Sequence, residues 1–294
     1  MDTVWSQVIQ GCMTLYASRR LRFEDRFRDR WLPLFDLADR PMRILEIGCG
    51  PGALAEALRR WYPRAEITGL DRDREFIRFA QSHVPGVEFL EGDATDLPFP
   101  ESSFDVTISN TVQEHVEPGA FFGEQLRVLR PGGVCLVLSS RKGLHAAAPC
   151  LAWDEAERAF WEKVTALDDS MEKYEICHYP MSEAELPAAM ERYGFREVRT
   201  GYAAADLTPD DPTVAPELAR EMIRSGKYND IEALEAAART LGDKLDAAEV
   251  ESIRRRIDAK YDKRLEQYAR GEKQWETVVN LIMVLRGIKP QAYL

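Results

Sequence analysis

The residues whose types and spacing suggest chemistry begin with a glycine-rich turn. Gly48, Cys49, Gly50, Pro51 and Gly52 follow directly on an apolar run that ends in Leu45, Glu46 and Ile47. Glycine has no Cβ, so a ligand can approach this backbone closely. A helix beginning just beyond it would present free N–H groups to that ligand. About twenty residues further on, Asp71 closes a second apolar run, where a carboxylate can accept from both hydroxyls of a ribose. Neither feature is selective. Gly48, Gly50 and Ala53 satisfy a relaxed dinucleotide fingerprint, and Asp71 suits NAD and S-adenosylmethionine equally, or simply caps a helix ahead of Arg74.

The elements that must hold these residues follow from hydrophobic periodicity. Trp5, Ile9, Cys12 and Tyr16 fall on one helical face, and Phe23, Phe27 and Trp31 repeat at helical spacing among a cluster of arginines. From residue 41 strands alternate with helices. Strands are predicted over 43–47, 65–70, 87–90, 104–109 and 134–138, with helices over 53–61, 74–83 and 119–129, the last halted by Pro131, Gly132 and Gly133. That alternation implies parallel βαβ units wound on both faces of one sheet, with a ligand at the carboxyl ends of the strands. A connection bearing Trp153, Phe160 and Trp161 leads to a helix over 182–193 and a strand over 195–201. Residues 205–273 read as helix, with Val250, Ile253, Ile257, Tyr261, Leu265 and Tyr268 forming an amphipathic stripe. A last strand is expected within 275–286.

Composition narrows the classes. The 294 residues carry 39 Lys and Arg against 50 Asp and Glu, a net charge of −11. Such a surface repels phosphate backbones, so no nucleic-acid partner is expected. No basic leader or bilayer-length apolar run is evident, so no membrane partner is expected and the location is expected to be cytoplasmic. The 5 cysteines are scattered without C-x-x-C spacing, which fits a reducing compartment, and the 4 histidines show no ligand motif, so no metal is expected.

The third and fourth strands separate the cofactor readings. Gly92, Asp93, Ala94, Thr95, Asp96, Leu97, Pro98 and Phe99 follow the third strand. Phe104, Asp105, Val106, Thr107, Ile108, Ser109 and Asn110 form the fourth, followed by Glu114, His115 and Val116 and then Arg127, Val128, Leu129, Arg130, Pro131, Gly132 and Gly133. In order and spacing this set resembles the class I S-adenosylmethionine-dependent methyltransferases, within the small-molecule group that includes the ubiquinone and menaquinone C-methyltransferases. The resemblance covers residues 41–140. It implies a Rossmann-like α/β fold with a doubly wound seven-stranded sheet, closed by an antiparallel last strand. It also implies that Glu46, Gly48, Cys49 and Gly50 face the methionine part of the cofactor and that Asp71 holds the ribose. Arg72 would lie beside the adenine, Asp93 and Ala94 would meet its edge, and Asn110 with Thr111 would border the sulfonium.

The expected organisation is an N-terminal helical lid over 1–40, a cofactor-binding core over 41–204 plus 274–294, and a helical insertion over 205–273. The expected activity is methyl transfer from S-adenosylmethionine, leaving S-adenosylhomocysteine, to oxygen, nitrogen or carbon of a small-molecule acceptor. Positioning supplies much of the acceleration, and a base is needed only for a protonated acceptor. His115, following the fourth strand, is the first candidate base, with Tyr16 and His178 behind it. Each has a plainer reading: a structural histidine, a packed tyrosine, a solvated loop. Tyr16, Arg19, Arg20, His115, Trp153, His178 and Tyr179 are the candidate acceptor contacts, although the arginines can equally pair with Glu24, Asp25 and Asp29. The stripe on the insertion leaves a homodimer open. Two rivals remain: a nicotinamide-dependent oxidoreductase, for which Ser139, Ser140, Arg141 and Lys142 lack the usual tyrosine, and a cofactor-binding relative without turnover.

Overall fold

The computed structural model describes residues 5–168, 173 and 176–291; the other positions of the expected lid and core lie outside the described residues. A single π-helical turn over Trp5–Ile9 leads through Gly11 into helix α1 (Cys12–Arg22), followed by α2 (Arg28–Phe35). The aromatic repeat between them is core. Phe23, Phe27, Trp31 and Phe35 are fully buried, and the rings of Phe23, Trp31 and Phe35 meet one another or Trp61 at centroid distances such as 5.0 Å for Phe23 and Trp31.

Strand β1 (Met42–Ile47) is buried at all positions but Arg43, as a strand covered on both faces must be. Then come α3 (Ala53–Trp61), β2 (Ala65–Asp71), α4 (Arg74–His83), β3 (Glu88–Glu91), β4 (Phe104–Asn110), α5 (Pro118–Val128), β5 (Leu129–Ala146), α6 (Glu155–Leu167), α7 (Glu185–Arg192) and β6 (Arg196–Leu207). The chain closes with α8 (Pro216–Leu241), α9 (Ala247–Ala269) and β7 (Thr277–Ile288). The strands form one seven-stranded sheet in the order β3-β2-β1-β4-β5-β7-β6, with β7 antiparallel to both neighbours. Order reverses between β1 and β4, and the carboxyl ends of those two strands frame the crevice where α/β sheets take ligands. One face of the sheet packs on α2, α3 and α4, the other on Phe121 and Phe122 of α5 and Leu186 and Met190 of α7.

The expected fold class holds, with corrections to several elements. The Pro131, Gly132 and Gly133 stretch is drawn into β5, whose pairing with β4 shifts between Phe104 and Val106. Beyond residue 138 the strand continues, exposed and polar, because β7 pairs with it as far as Ala146 opposite Thr277. A half-exposed ribbon lacks the apolar signature of a core strand. Strand β6 likewise runs to Leu207, shortening the helical region. The connection carrying Trp153, Phe160 and Trp161 holds a helix, α6, started by a reciprocal capping box between Asp154 and Glu157.

The amphipathic stripe is used inside the chain. Ile253, Ile257 and Tyr261 of α9 bury against Ile223, Leu234 and Leu241 of α8 and Phe160 of α6, so the face that left a dimer open is covered by the chain's own helices. The return from α9 to β7 is pinned by a fully buried cation: Arg264 donates to Asp210 at 2.8 Å and to Glu276 at 2.9 Å. Asp210 also accepts the backbone N–H groups of Gln274 and Trp275.

Candidate functional site

The glycine turn sits at the carboxyl end of β1. Gly48 and Gly50 both have positive φ, 66° and 53°. At Gly48 a Cβ would stand 2.4 Å from Val112, so the turn packs directly beneath the segment that leaves β4. Cys49 is buried and its N–H donates to the Leu70 carbonyl, tying the turn to β2. Burial first, then the Asp71 and Glu46 charges, raise its thiol well above the ordinary range, so it stays protonated.

Asp71 locks this arrangement. Its carboxylate accepts the Gly50 N–H at 2.8 Å and the Asp73 N–H at 2.8 Å. Burial pushes its pKa up to about 6 against the pull of those two donors. The helix cap is not Asp71 but Asp73, which accepts from Glu75 and Phe76. Glu46 lies below, buried, with Oε2 lacking any hydrogen-bond partner among the described residues. Burial and the neighbouring Asp71 push its pKa well above the carboxylate range. An orphaned buried oxygen is costly, so the pair is an acidic floor that a cationic ligand would satisfy.

Arg72 is exposed, as is Asp93, whose carboxylate holds the turn Asp93–Thr95 through the Thr95 N–H and hydroxyl; Ala94 beside it is half-buried. Asn110 ends β4. Thr111 takes φ 56°, an unusual state for a β-branched residue, held by its N–H to Leu138 and its hydroxyl to Asn110. Strain of this kind collects where a backbone is shaped for a ligand.

His115 is set by the loop that follows. Its Nδ1 accepts the Cys177 N–H at 3.0 Å, and Trp5 meets its ring edge-on at 4.9 Å. Burial, then Arg72, lowers its pKa to about 4. A neutral ring whose Nδ1 accepts carries its proton on Nε2, so this imidazole is a donor at neutral pH. Tyr179 donates its N–H to the Glu114 carbonyl and accepts from Gln113, whereas His178 is exposed and stands edge-on to the Tyr179 ring. Tyr16 packs on Phe79 of α4 at 5.4 Å, and burial with the Glu56 carboxylate raises its phenol to about 12, so it keeps its proton.

The arginines divide. Arg20 is committed to Glu24 and Glu221. Arg19 faces Glu114, and burial lowers its pKa to about 10. Trp153 stacks on Trp161 and lines an open-mouthed cavity of about 480 Å³ bordered by α1, α8 and the end of β5. Sequence reasoning missed three contributors to this region. Ser6 donates its N–H and hydroxyl to Asp73. Gly11 donates to Glu232 of α8. Arg22, also lining the cavity, shares a helix face with Arg19 at i+3, and that spacing was the available signal.

Part of the chain is similar to known proteins. Residues 45–137 match the family model described as "Methyltransferase domain". Among curated proteins, the chain is 43% identical over 103 residues to a fatty-acid O-methyltransferase of Mycolicibacterium smegmatis, covering 34% of this chain and 37% of that one. It is 45% identical over 95 residues to a probable phthiotriol/phenolphthiotriol dimycocerosates methyltransferase 2 of Mycobacterium ulcerans, covering 31% and 36%. The match thus spans little more than a third of the relatives' length. A solved phosphoethanolamine N-methyltransferase 2 of Haemonchus contortus, in complex with S-adenosyl-L-methionine, shares the fold with a TM-score of 0.53 at 16% identity, over 98% of this chain and 59% of that one. Residues 45–137 thus match a methyltransferase domain. The rest of the chain, including the expected lid and insertion, lies outside that matched stretch.

Proposed function

We propose that the whole chain is an S-adenosylmethionine-dependent methyltransferase acting on a small, largely apolar acceptor. The observation that carries this reading is the buried acidic floor of the glycine turn, where Glu46 Oε2 has no partner and Asp71 stands beside it. A methionine ammonium and an adjacent sulfonium complement that floor. A dinucleotide's pyrophosphate would bring negative charge to the same turn, which counts against the oxidoreductase reading. The names of the relatives, a fatty-acid O-methyltransferase among them, support an acceptor with a lipid-like body.

The cofactor supplies an electrophilic methyl group on a sulfonium leaving group. The chain's own residues do the rest by binding and orientation. Asp71 holds the ribose hydroxyls while it fixes Gly50 and Asp73. Asp93 and Ala94 receive the adenine edge, with Arg72 beside it. Asn110 and the strained Thr111 border the reacting side, and His115 offers its Nε2–H there as a donor that orients the acceptor. Trp5, held over His115 by the Ser6–Asp73 contacts, excludes water. With His115 a donor and Tyr16 firmly protonated, transfer relies on positioning more than on base catalysis.

Calorimetric titration with S-adenosylmethionine, S-adenosylhomocysteine and NADH tests this. Micromolar binding of the two adenosyl compounds without NADH binding is expected, and NADH binding alone would overturn the reading.

A further inference from the structure

The cavity of about 480 Å³ beside α1 is of ligand size and lined mainly by apolar side chains, Leu21, Leu151, Trp153, Met222 and Ile223 among them. One feature is out of keeping with such a lining. Arg22 is among the residues that line it, and Nε and Nη1 of its guanidinium are sealed from solvent with no hydrogen-bond partner among the described residues. A buried cation without an acceptor is expensive, and folded chains rarely retain one without a use. The acidic groups lining the same cavity are already engaged. Asp230 is held by Lys260 and the Tyr261 hydroxyl, and Glu276 by Arg264. Glu114 attracts Arg19, one turn before Arg22 on the same helix face, though its own Oε2 has no hydrogen-bond partner among the described residues. Burial, and then repulsion from Arg19, hold the Arg22 pKa well below its usual value.

Position ties this cavity to the cofactor turn. Leu15 of α1 lies against Gly50, where a Cβ would stand 3.5 Å from its side chain. Arg22 follows two turns later on that helix, roughly 10 Å along its axis. An acceptor held there is within reach of the site described above.

We propose that this cavity is the acceptor site and that it takes an amphiphilic monoanion, with its carboxylate on the Arg22 guanidinium and its apolar body against Leu21, Met222, Ile223 and Trp153. The inference deepens the methyltransferase reading and rests on it. Among the described residues Arg22 is the one arginine or lysine that lines this cavity, and a monoanion matches its charge. A phosphate, with roughly twice the charge, would leave negative charge facing Asp230 and Glu276.

The test compares the full chain with Arg22→Met and Arg22→Lys by calorimetry, using decanoate, decan-1-ol and decyl phosphate as probes with no cofactor present. Decanoate is expected to bind the wild type and to bind Arg22→Met at least tenfold more weakly, as loss of a charge-assisted bond requires. Arg22→Lys should fall between them, and decan-1-ol should bind wild type and Arg22→Met alike. S-adenosylhomocysteine affinity should be equal in all three, and ligand-free Arg22→Met should melt no lower than wild type. Equal decanoate affinity in wild type and Arg22→Met, no decanoate binding to wild type, or tighter binding of decyl phosphate overturns the proposal. So does a lower melting point with lost S-adenosylhomocysteine binding in Arg22→Met, which makes the arginine structural. Failure of the wild type to bind S-adenosylhomocysteine would instead sink the methyltransferase reading.

Discussion

Glu46→Gln isolates the acidic floor from the shape of the turn. The substitution keeps the side-chain volume and removes the charge. In the ligand-free chain Oε2 has no partner, so an amide there sacrifices no hydrogen bond made to that atom. Burial and Asp71 hold the wild-type pKa well above the carboxylate range, so ionising Glu46 costs stability. The wild type's stability is therefore highest below the unfolded-state pKa of Glu46 and falls as pH rises through the raised folded-state value. At neutral pH the amide is spared the cost of ionising in a buried site, and each kcal/mol so gained raises the melting temperature by roughly 2–4 °C for a chain of this order of size. Binding moves the other way. A hydrogen bond to a charged group contributes roughly 1.5–3 kcal/mol, so S-adenosylhomocysteine, which retains the methionine ammonium, should bind about 10- to 150-fold more weakly. Thermal melts across pH 5–8 and calorimetry on both proteins read the two effects separately. The ligand-free variant should melt higher at neutral pH and gain less stability on acidification than the wild type, the remaining gain belonging to Asp71. A variant that binds S-adenosylhomocysteine within threefold of wild type, or that melts lower at neutral pH, refutes the reasoning.

Other consequences can be checked with the same assays. Asp71→Ala should weaken S-adenosylhomocysteine by more than about tenfold, because the ribose loses a charged acceptor and the Gly50 and Asp73 N–H groups lose theirs; unchanged calorimetric affinity would remove Asp71 from the site. In the wild type, affinity for the cationic cofactor should fall as pH drops through about 6, where the Asp71 carboxylate takes up its proton; a flat profile between pH 5 and 8 would contradict that. His115→Gln, which keeps a donor, should retain more turnover on a true acceptor than His115→Ala, and the acid limb of the rate profile should not move, since a ring with a pKa of about 4 is already neutral; a lost limb would make His115 a base. Gly48→Ala should destabilise the turn, because a Cβ would stand 2.4 Å from Val112 at a positive φ; an unaltered melt with intact binding would show that Val112 gives way freely.

Much of this was legible before any coordinates. Buried parallel strands are written as short apolar runs, and the turn chemistry is written as glycine, so β1 to β4 and the residues at their carboxyl ends follow from local pattern. The distal half of β5 was hidden because Arg141, Lys142 and Gly143 become strand only through pairing with β7. Arg22 was hidden for a related reason. Six arginines share one chemistry in the sequence, and only packing decides that Arg20 meets Glu24 and Glu221 at the surface while Arg22 is buried beside a cavity. His115 was legible as a residue but not as a donor, since its tautomer is fixed by a backbone N–H more than sixty residues away.

The strand order carries a consequence for how the chain is made. Strand β6 has β7 as its neighbour and β5 has β7 on its outer side, yet β7 follows β6 by some seventy residues. During vectorial synthesis the cofactor half can assemble early, but β6 emerges with no edge to join. The open side of β5 stays unpaired until the helical hairpin has passed and β7 slots between them. An unpaired edge is the feature through which chains aggregate. The nascent chain is therefore most exposed while α8 and α9 are being translated, and arrival of β7 at once seals the sheet and adds Val278 and Asn280 to the lining of the cavity beside α1.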